Sequence, residues 1–206
     1  MNCALSIFRN MILIAALIIG NSSHADAKIY IKEQVKYYTV SGKTGKQIHA
    51  KLGRGGPWRI RRKHAIAATI RSYDFKNFKV RERGKKCVLA SVDVHLKLIY
   101  YYPKWINRKR ASNKLQKLWV KFSRELVRHE KTHGKYFKET SRLVEKEILR
   151  ASGRLSRDCR DFGDNVKKRL DKIYKKGEAR HDAFDRREKK ATAKIRKLER
   201  ALIKSR

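Results

Sequence analysis

His129-Glu130-Lys131-Thr132-His133 is the segment whose residue types and spacing most clearly allow chemistry. Two histidines four apart lie about one turn apart on one helix face, so both imidazoles reach a single metal ion. Glu130 sits about 100° round the helix from His129. There it takes a proton from a water molecule that the metal has acidified, without being a ligand itself. The spacing assigns His129 and His133 as ligands of Zn2+ and Glu130 as the general base. At this composition the pattern has a chance expectation of about 0.01. A zinc site needs a third protein ligand. His181 lies on the inner stripe of the last helical stretch, with Asp185 one turn on. Either meets the motif if the two helices pack antiparallel. Glu139, Glu145 and Glu147 share the motif's own helix and lie too far along it to fold back.

The elements that must position these residues follow from periodicity. From Leu115 to Ile148 the apolar residues, with His129 and His133 among them, recur at three- and four-residue steps. This predicts one long helix, capped by Ser112, running to about Arg150 and interrupted at Gly134. A second helical stretch starts near Asn165; beyond about Glu188 Lys and Arg dominate, which predicts a projecting, solvated helix. Upstream, Val35 to Ser41 reads as a strand. Thr44 caps a short helix through Leu52, and Gly53, Gly55, Gly56 and Pro57 break it. This glycine run lacks the Lys-Ser/Thr pair of a phosphate loop and reads as a turn. Residues 65–80 form a strand. Cys87 to Tyr102 alternates strictly, with Val88, Ala90, Val92, Val94, Leu96, Leu98, Tyr100 and Tyr102 on the apolar face. Arg83-Gly84 turns into this strand and Pro103 ends it. The order predicts an α+β fold: a small antiparallel sheet packed against a long HExxH helix and a second C-terminal helix.

Charge and cysteines bound the setting. Lys and Arg number 55 against 19 Asp and Glu, a formal net charge of +36, with 36% charged and 41% hydrophobic residues. This excludes a polytopic membrane protein and demands an anionic partner. Residues 1–27 have the form of a secretory signal: Arg9, an apolar run from Met11 to Gly20, and Ala25-Asp26-Ala27 as the cleavage pattern, with cleavage after Ala25 an alternative. Arg9 and Asp26 cancel, so the mature chain keeps +36. The expected location is the periplasm or outside the cell, with no stable membrane insertion after cleavage. Cys3 leaves with the signal. Cys87 and Cys159 remain in an oxidising compartment, where an even count points to a disulfide, the alternative being two buried free thiols. The bond closes a loop of about 70 residues, worth about 4 kcal/mol in chain-entropy terms.

Taken together, the segment Tyr37 to Gly45 (YYTVSGKTG), Gly56-Pro57, Cys87 opening the alternating strand, Pro103-x-Trp105, Trp119, the HExxH and Cys159 resemble domain-of-unknown-function family 922. These are bacterial secreted proteins described as zinc-dependent proteases. The likeness covers about residues 35 to 190 and adds support to the Cys87–Cys159 pairing. Members commonly carry Tyr-Asp-x-x-Thr-x-His-Gly after the second cysteine. The corresponding run here is Phe184 to Ala191, which keeps Phe184-Asp185 and has Lys190 at the histidine position. If the family histidine binds metal, a protonated lysine cannot replace it. Asp185, with His181 and Glu188 as alternatives, then completes the site, or the site is impaired.

These readings combine into a signal peptide (1–27), a zincin-like protease domain (28–190) and a basic helical C-terminal extension (191–206). The expected activity is zinc-dependent hydrolysis of a peptide or protein substrate. The alternative is a non-catalytic, disulfide-stapled basic protein holding an anionic envelope polymer such as lipopolysaccharide or wall polymer. Nucleic acid is a poorer partner, because strand alternation already explains the aromatics around Tyr100 to Trp105.

Overall fold

The computed structural model describes residues 26–55, 59–60, 63–84, 86–152 and 159–205. The signal segment up to residue 25 and the Gly56-Pro57 break lie outside the described residues. Among the described residues, five strands and four α-helices follow in the order β1 (Asp26–Val40), α1 (Gly45–Gly55), β2 (Arg59–Ile60), β3 (Lys63–His64), β4 (Ala68–Arg83), β5 (Lys86–Trp105), α2 (Asn113–Ser152), α3 (Cys159–Glu188) and α4 (Lys194–Lys204). The class is α+β. The three long strands are ordered β1-β5-β4. No helix among the described residues is long and apolar enough to cross a membrane.

The sheet is mixed rather than antiparallel throughout. β5 pairs antiparallel with β4 and parallel with β1. The cause is the route of the chain. β1 ends at Val40, opposite Trp105, and β4 begins at Ala68, opposite Tyr101. Residues 41–67 therefore return the chain to the end of the sheet it left. β4 must run back against β1, and the turn at Gly84 (φ 63°) sends β5 forward beside β1 again.

Two details of β5 depart from the expected pattern. The buried face holds Val92, Val94, Leu96, Leu98, Tyr100 and Tyr102 as expected, but at the start of the strand Cys87 and Leu89 are buried in place of Val88 and Ala90. Register shifts at Lys76/Lys79 and Lys79/Val80 on β4 explain the change of phase, since an extra residue in a pair turns the following side chains to the other face. The strand also runs through Pro103 to Trp105. Among the described residues it pairs beyond Tyr101 with β1 alone, an edge position where a residue without an N–H is tolerated.

The helices follow their end signals. Thr44 and Gln47 form a capping box: Gln47 N–H donates to Thr44 Oγ1 (3.3 Å), and Gln47 Oε1 accepts from the N–H of Thr44 (3.3 Å) and Lys43 (2.8 Å). α1 continues through Gly53 to Gly55, so the break falls later than expected; glycines near a helix end are tolerated. Leu115 N–H donates to Ser112 Oγ (3.4 Å) at the start of α2. α3 begins at Cys159, earlier than expected. α4 does not project into solvent. Leu202 is fully buried in the main core cluster with Ile48 and Leu52 of α1. Gly45 N–H donates to Ser205 O (2.9 Å), His49 Nε2 lies 2.9 Å from Glu199 Oε1, and Lys194 reaches Glu125 at 2.8 Å. The basic segment carries an apolar stripe, and that stripe decides its place.

α2 lies across the sheet, burying Leu115, Trp119, Phe122, Leu126, Phe137, Val144 and Ile148. It is continuous through Gly134. That glycine marks a close approach: a Cβ there would stand 2.0 Å from the Tyr100 hydroxyl. The same hydroxyl donates to Glu33 Oε2 (3.0 Å), and Lys138 donates to Glu33 Oε1 (2.6 Å), so β1, β5 and α2 are tied beside the motif. We expect Gly134→Ala to lower stability by about 1–3 kcal/mol in urea denaturation, as overpacking does. Tyr100→Phe in the same chain should recover part of that loss by removing the clashing oxygen. An additive pair would show that the close approach is not the cause.

Candidate metal centre

The site forms where α3 runs antiparallel to α2. The pairing is read from contacts along its length: Arg128 with Glu188, His133 with His181, Gly177 with Thr140, and Arg169 with Glu147. This register sets Asp185 opposite the two motif histidines. His133 Nε2 lies 3.1 Å from His129 Nε2 and 3.0 Å from Asp185 Oδ1, and His129 Nε2 lies 3.4 Å from Asp185 Oδ1. The three atoms form a near-equilateral triangle. Ligand atoms bound at about 2.0–2.1 Å in a tetrahedral zinc site stand about 3.3 Å apart, so these residues fit a metal ion without rearrangement. His129, His133 and Asp185 form the cluster of metal-ligating residue types among the described residues. Both imidazoles are mostly buried, whereas the Asp185 side chain is 36% exposed, so the cluster opens to solvent on that side.

Neighbouring groups prepare the donors. Burial opposes ionisation of Asp185, but hydrogen bonds from His129 and His133 and their charge overcome it and hold the carboxyl well below the usual carboxylate range. Burial likewise opposes a charge on His129; the hydrogen bond to Asp185 and the nearby carboxylates outweigh it and raise the imidazole's pKa. Protons and a metal ion thus compete for the same atoms. Phe184 packs against both rings, with centroids 4.8 Å from His129 and 5.2 Å from His133. It walls one side of the cluster with hydrocarbon.

Of the three candidates for the third ligand, Asp185 is brought to the donors and the other two stand behind them. His181 Nδ1 lies 2.7 Å from His133 Nδ1, on the ring edge away from the cluster. Its ring is buried, stacked on Phe137 at 4.0 Å, and kept neutral: burial first, then the charges of His133 and Arg71, bring its pKa down to about 4. A neutral His181 Nδ1 can accept the hydrogen of His133 Nδ1, so that a metal ion displacing the proton shared with Asp185 would meet His133 at Nε2. Its own Nε2 is buried without a hydrogen-bond partner among the described residues. Glu188 Oε2 stands 3.7 Å from His129 Nδ1, too far for a hydrogen bond, and is bound by Arg128. Its carboxylate faces the outer nitrogen of His129 without bonding it, and that nitrogen is buried with no hydrogen-bond partner among the described residues.

Glu130 is outside the cluster and 5% exposed, against the sheet. Thr69 of β4 donates its hydroxyl to Glu130 Oε2 (2.7 Å) and has the Glu130 carbonyl in reach at 3.0 Å. Burial raises the Glu130 pKa against the charges of His129 and His133 and the Thr69 hydrogen bond. A carboxylate so raised is a better proton acceptor near neutrality than a solvated one. Thr69, Phe184 and the outer positions of His181 and Glu188 are not legible in the motif; for Phe184 the signals are its place on the apolar stripe of the second helical stretch and beside Asp185 in the retained Phe-Asp pair. Cys87 is buried and disulfide-bonded. Cys159, its expected partner, opens α3, and its side chain lies outside the described residues.

The ligand assignment predicts an ordered series in chelator competition with Zn2+. Asp185→Ala should weaken binding most. His181→Ala, acting through His133, should weaken it by about 10- to 100-fold, the range for outer partners of ligating histidines. Lys190→Ala should leave it unchanged. Equal affinity in Asp185→Ala and the parent chain would show that the triangle is not the site.

No curated protein and no solved structure matches the chain. The family model described as "Bacterial protein of unknown function (DUF922)" matches residues 35–192, a span that holds β1 from Val35 onward, the HExxH helix and the whole of α3 with Asp185. The chain belongs to this bacterial family, DUF922.

Proposed function

We propose that this protein is an exported zinc-dependent metallopeptidase. The observation that carries the reading is the convergence of His129 Nε2, His133 Nε2 and Asp185 Oδ1 within 4.8 Å, one residue from a buried glutamate. Bound there, Zn2+ would polarise a carbonyl and acidify a water molecule. His129, His133 and Asp185 would hold the ion, with the Nδ1 hydrogen of His133 directed at His181. Glu130 accepts the proton of the attacking water and can return it to the leaving amine, while Thr69 keeps the carboxylate pointed by bonding one of its oxygens. Two histidines and one carboxylate give a charge and donor set suited to Zn2+ rather than to a harder, all-oxygen cation. The N-terminal segment favours export, and the disulfide at Cys87 fits an oxidising compartment.

The purified chain is expected to carry about one zinc per molecule by elemental analysis. It should cleave casein or a mixed peptide library. A chelator should abolish cleavage and added Zn2+ restore it. Glu130→Gln should keep the metal and lose about 10²–10⁴ in rate, the usual size of a general-base contribution. Absence of zinc under every loading condition, or full activity in Glu130→Gln, would overturn the reading.

A further inference from the structure

A second concavity runs along α2 on the N-terminal side of the motif. On that helix it is lined at Trp119, Ser123, Leu126 and Val127. These precede Glu130 by eleven, seven, four and three residues, so they share its helix face, and the nearest wall is about one turn (about 5.4 Å) from Glu130. Tyr37 at the end of β1, Tyr102 of β5 and Ile106 close the other side, around a groove of about 520 Å³. Its lip is exposed and apolar: Tyr37 is 64% and Ile106 62% exposed.

Two further observations say what it would hold. Tyr102 Oη and Ser123 Oγ are buried and have no hydrogen-bond partner among the described residues, and both side chains line the groove. Buried hydroxyls without partners are costly, and a bound chain's backbone amides would satisfy them. The rim is one-signed. Lys104, Arg108 and Lys109 border the groove, and none forms an ion pair with a described carboxylate. Residues 104–124 contain eight Lys or Arg and no Asp or Glu. Lys117, Lys121 and Arg124 line a neighbouring shallow depression that shares Arg108.

We infer that this groove binds an acidic peptide segment, with one large apolar side chain between Tyr37, Ile106 and Val127 and its carboxylates on the Lys104–Arg108–Lys109 rim. Its role as the substrate cleft rests on the metallopeptidase reading; its binding of the peptide does not. Apolar walls and unpaired hydroxyls favour a polypeptide over a uniform polyanion, which would use the charge and leave the groove empty.

The test is fluorescence anisotropy on the full Glu130→Gln chain, so that binding is read without turnover. The probe is a labelled decapeptide with one Phe beside three Glu; its comparators have Ser for Phe or Lys for Glu. The parent probe is expected to bind about tenfold or more tighter than either comparator. Val127→Gln and Ile106→Ser change no charge and sit at the surface. Each should remove the preference for Phe, while Arg108→Glu with Lys109→Glu should remove the preference for Glu. Circular dichroism and an unchanged urea-denaturation midpoint certify the fold of each variant. If affinity follows only the number of negative charges, with inorganic polyphosphate competing equally against all variants, the site is a general polyanion surface and the inference fails. A zinc-loaded, active wild-type chain that cleaves the three peptides equally would also overturn it, while leaving the metallopeptidase reading in place. Preferential binding in a chain that never holds zinc would support the groove and defeat that reading.

Discussion

The site depends on one constraint, the antiparallel register between α2 and α3. The HExxH motif supplies two imidazole nitrogens from one face of α2, and among the described residues the third donor that joins them comes from α3. Asp185 arrives because α3 begins about where α2 ends and runs back along it, so that residues 129 and 133 meet 185 and 181. A shift of one turn would move α3 by about 5.4 Å and put His181 or Glu188 where Asp185 stands. Several contacts oppose such a slip: Gly177 against Thr140, where a Cβ would stand 2.9 Å from a side-chain oxygen, Arg180 with Glu139, and the buried Glu147 with Arg169. Each is modest. Together they favour the one register that closes the donor triangle.

The neighbouring face of α2 is fixed by the sheet. Glu130 and Gly134 lie one turn apart on the side toward β5 and β4. Thr69 holds the first, and the Tyr100 hydroxyl fills the space that the second leaves. The helix therefore carries His129 and His133 toward α3 and Glu130 toward the sheet, about 100° apart, as the 3.6-residue period requires. Glu33 extends this support to the edge strand by accepting from Tyr100 and Lys138, and Lys138's hydrogen bond, against some burial, lowers its pKa. Rigid elements on both sides hold the site without a loop.

Much of this was legible in the sequence, for identifiable reasons. Period-two and period-3.6 patterns report which face is buried, so β5 and α2 could be located from Val92 to Tyr102 and from Leu115 to Ile148. The same patterns are blind to strand direction. The parallel pairing of β1 arises from the return of the chain through residues 41–67, which leaves no mark on β1 itself. They are also blind to paired register shifts, which is why Leu89 and not Ala90 is buried. Charge misled at the C-terminus. Lys and Arg dominate residues 194–204, yet Leu202 and Glu199 are buried against α1 and α2, because a few apolar residues on one stripe outweigh solvated charge on the other. At the site, spacing within one helix gave His129, Glu130 and His133. The partners 48 to 61 residues away, His181, Asp185 and Thr69, depend on packing that no local pattern encodes; an antiparallel helix pair left both His181 and Asp185 open, and Asp185 stood out only through the Phe-Asp pair that the family resemblance retains.

The central claim is that two imidazoles and the Asp185 carboxylate share one zinc ion. X-ray absorption at the zinc edge of the full chain measures this most directly. The account predicts a four-coordinate shell of nitrogen and oxygen only, with outer-shell scattering from two imidazoles, at bond lengths of about 2.0–2.1 Å. Scattering from three imidazoles, placing His181 on the metal, or a six-coordinate shell dominated by water would contradict it.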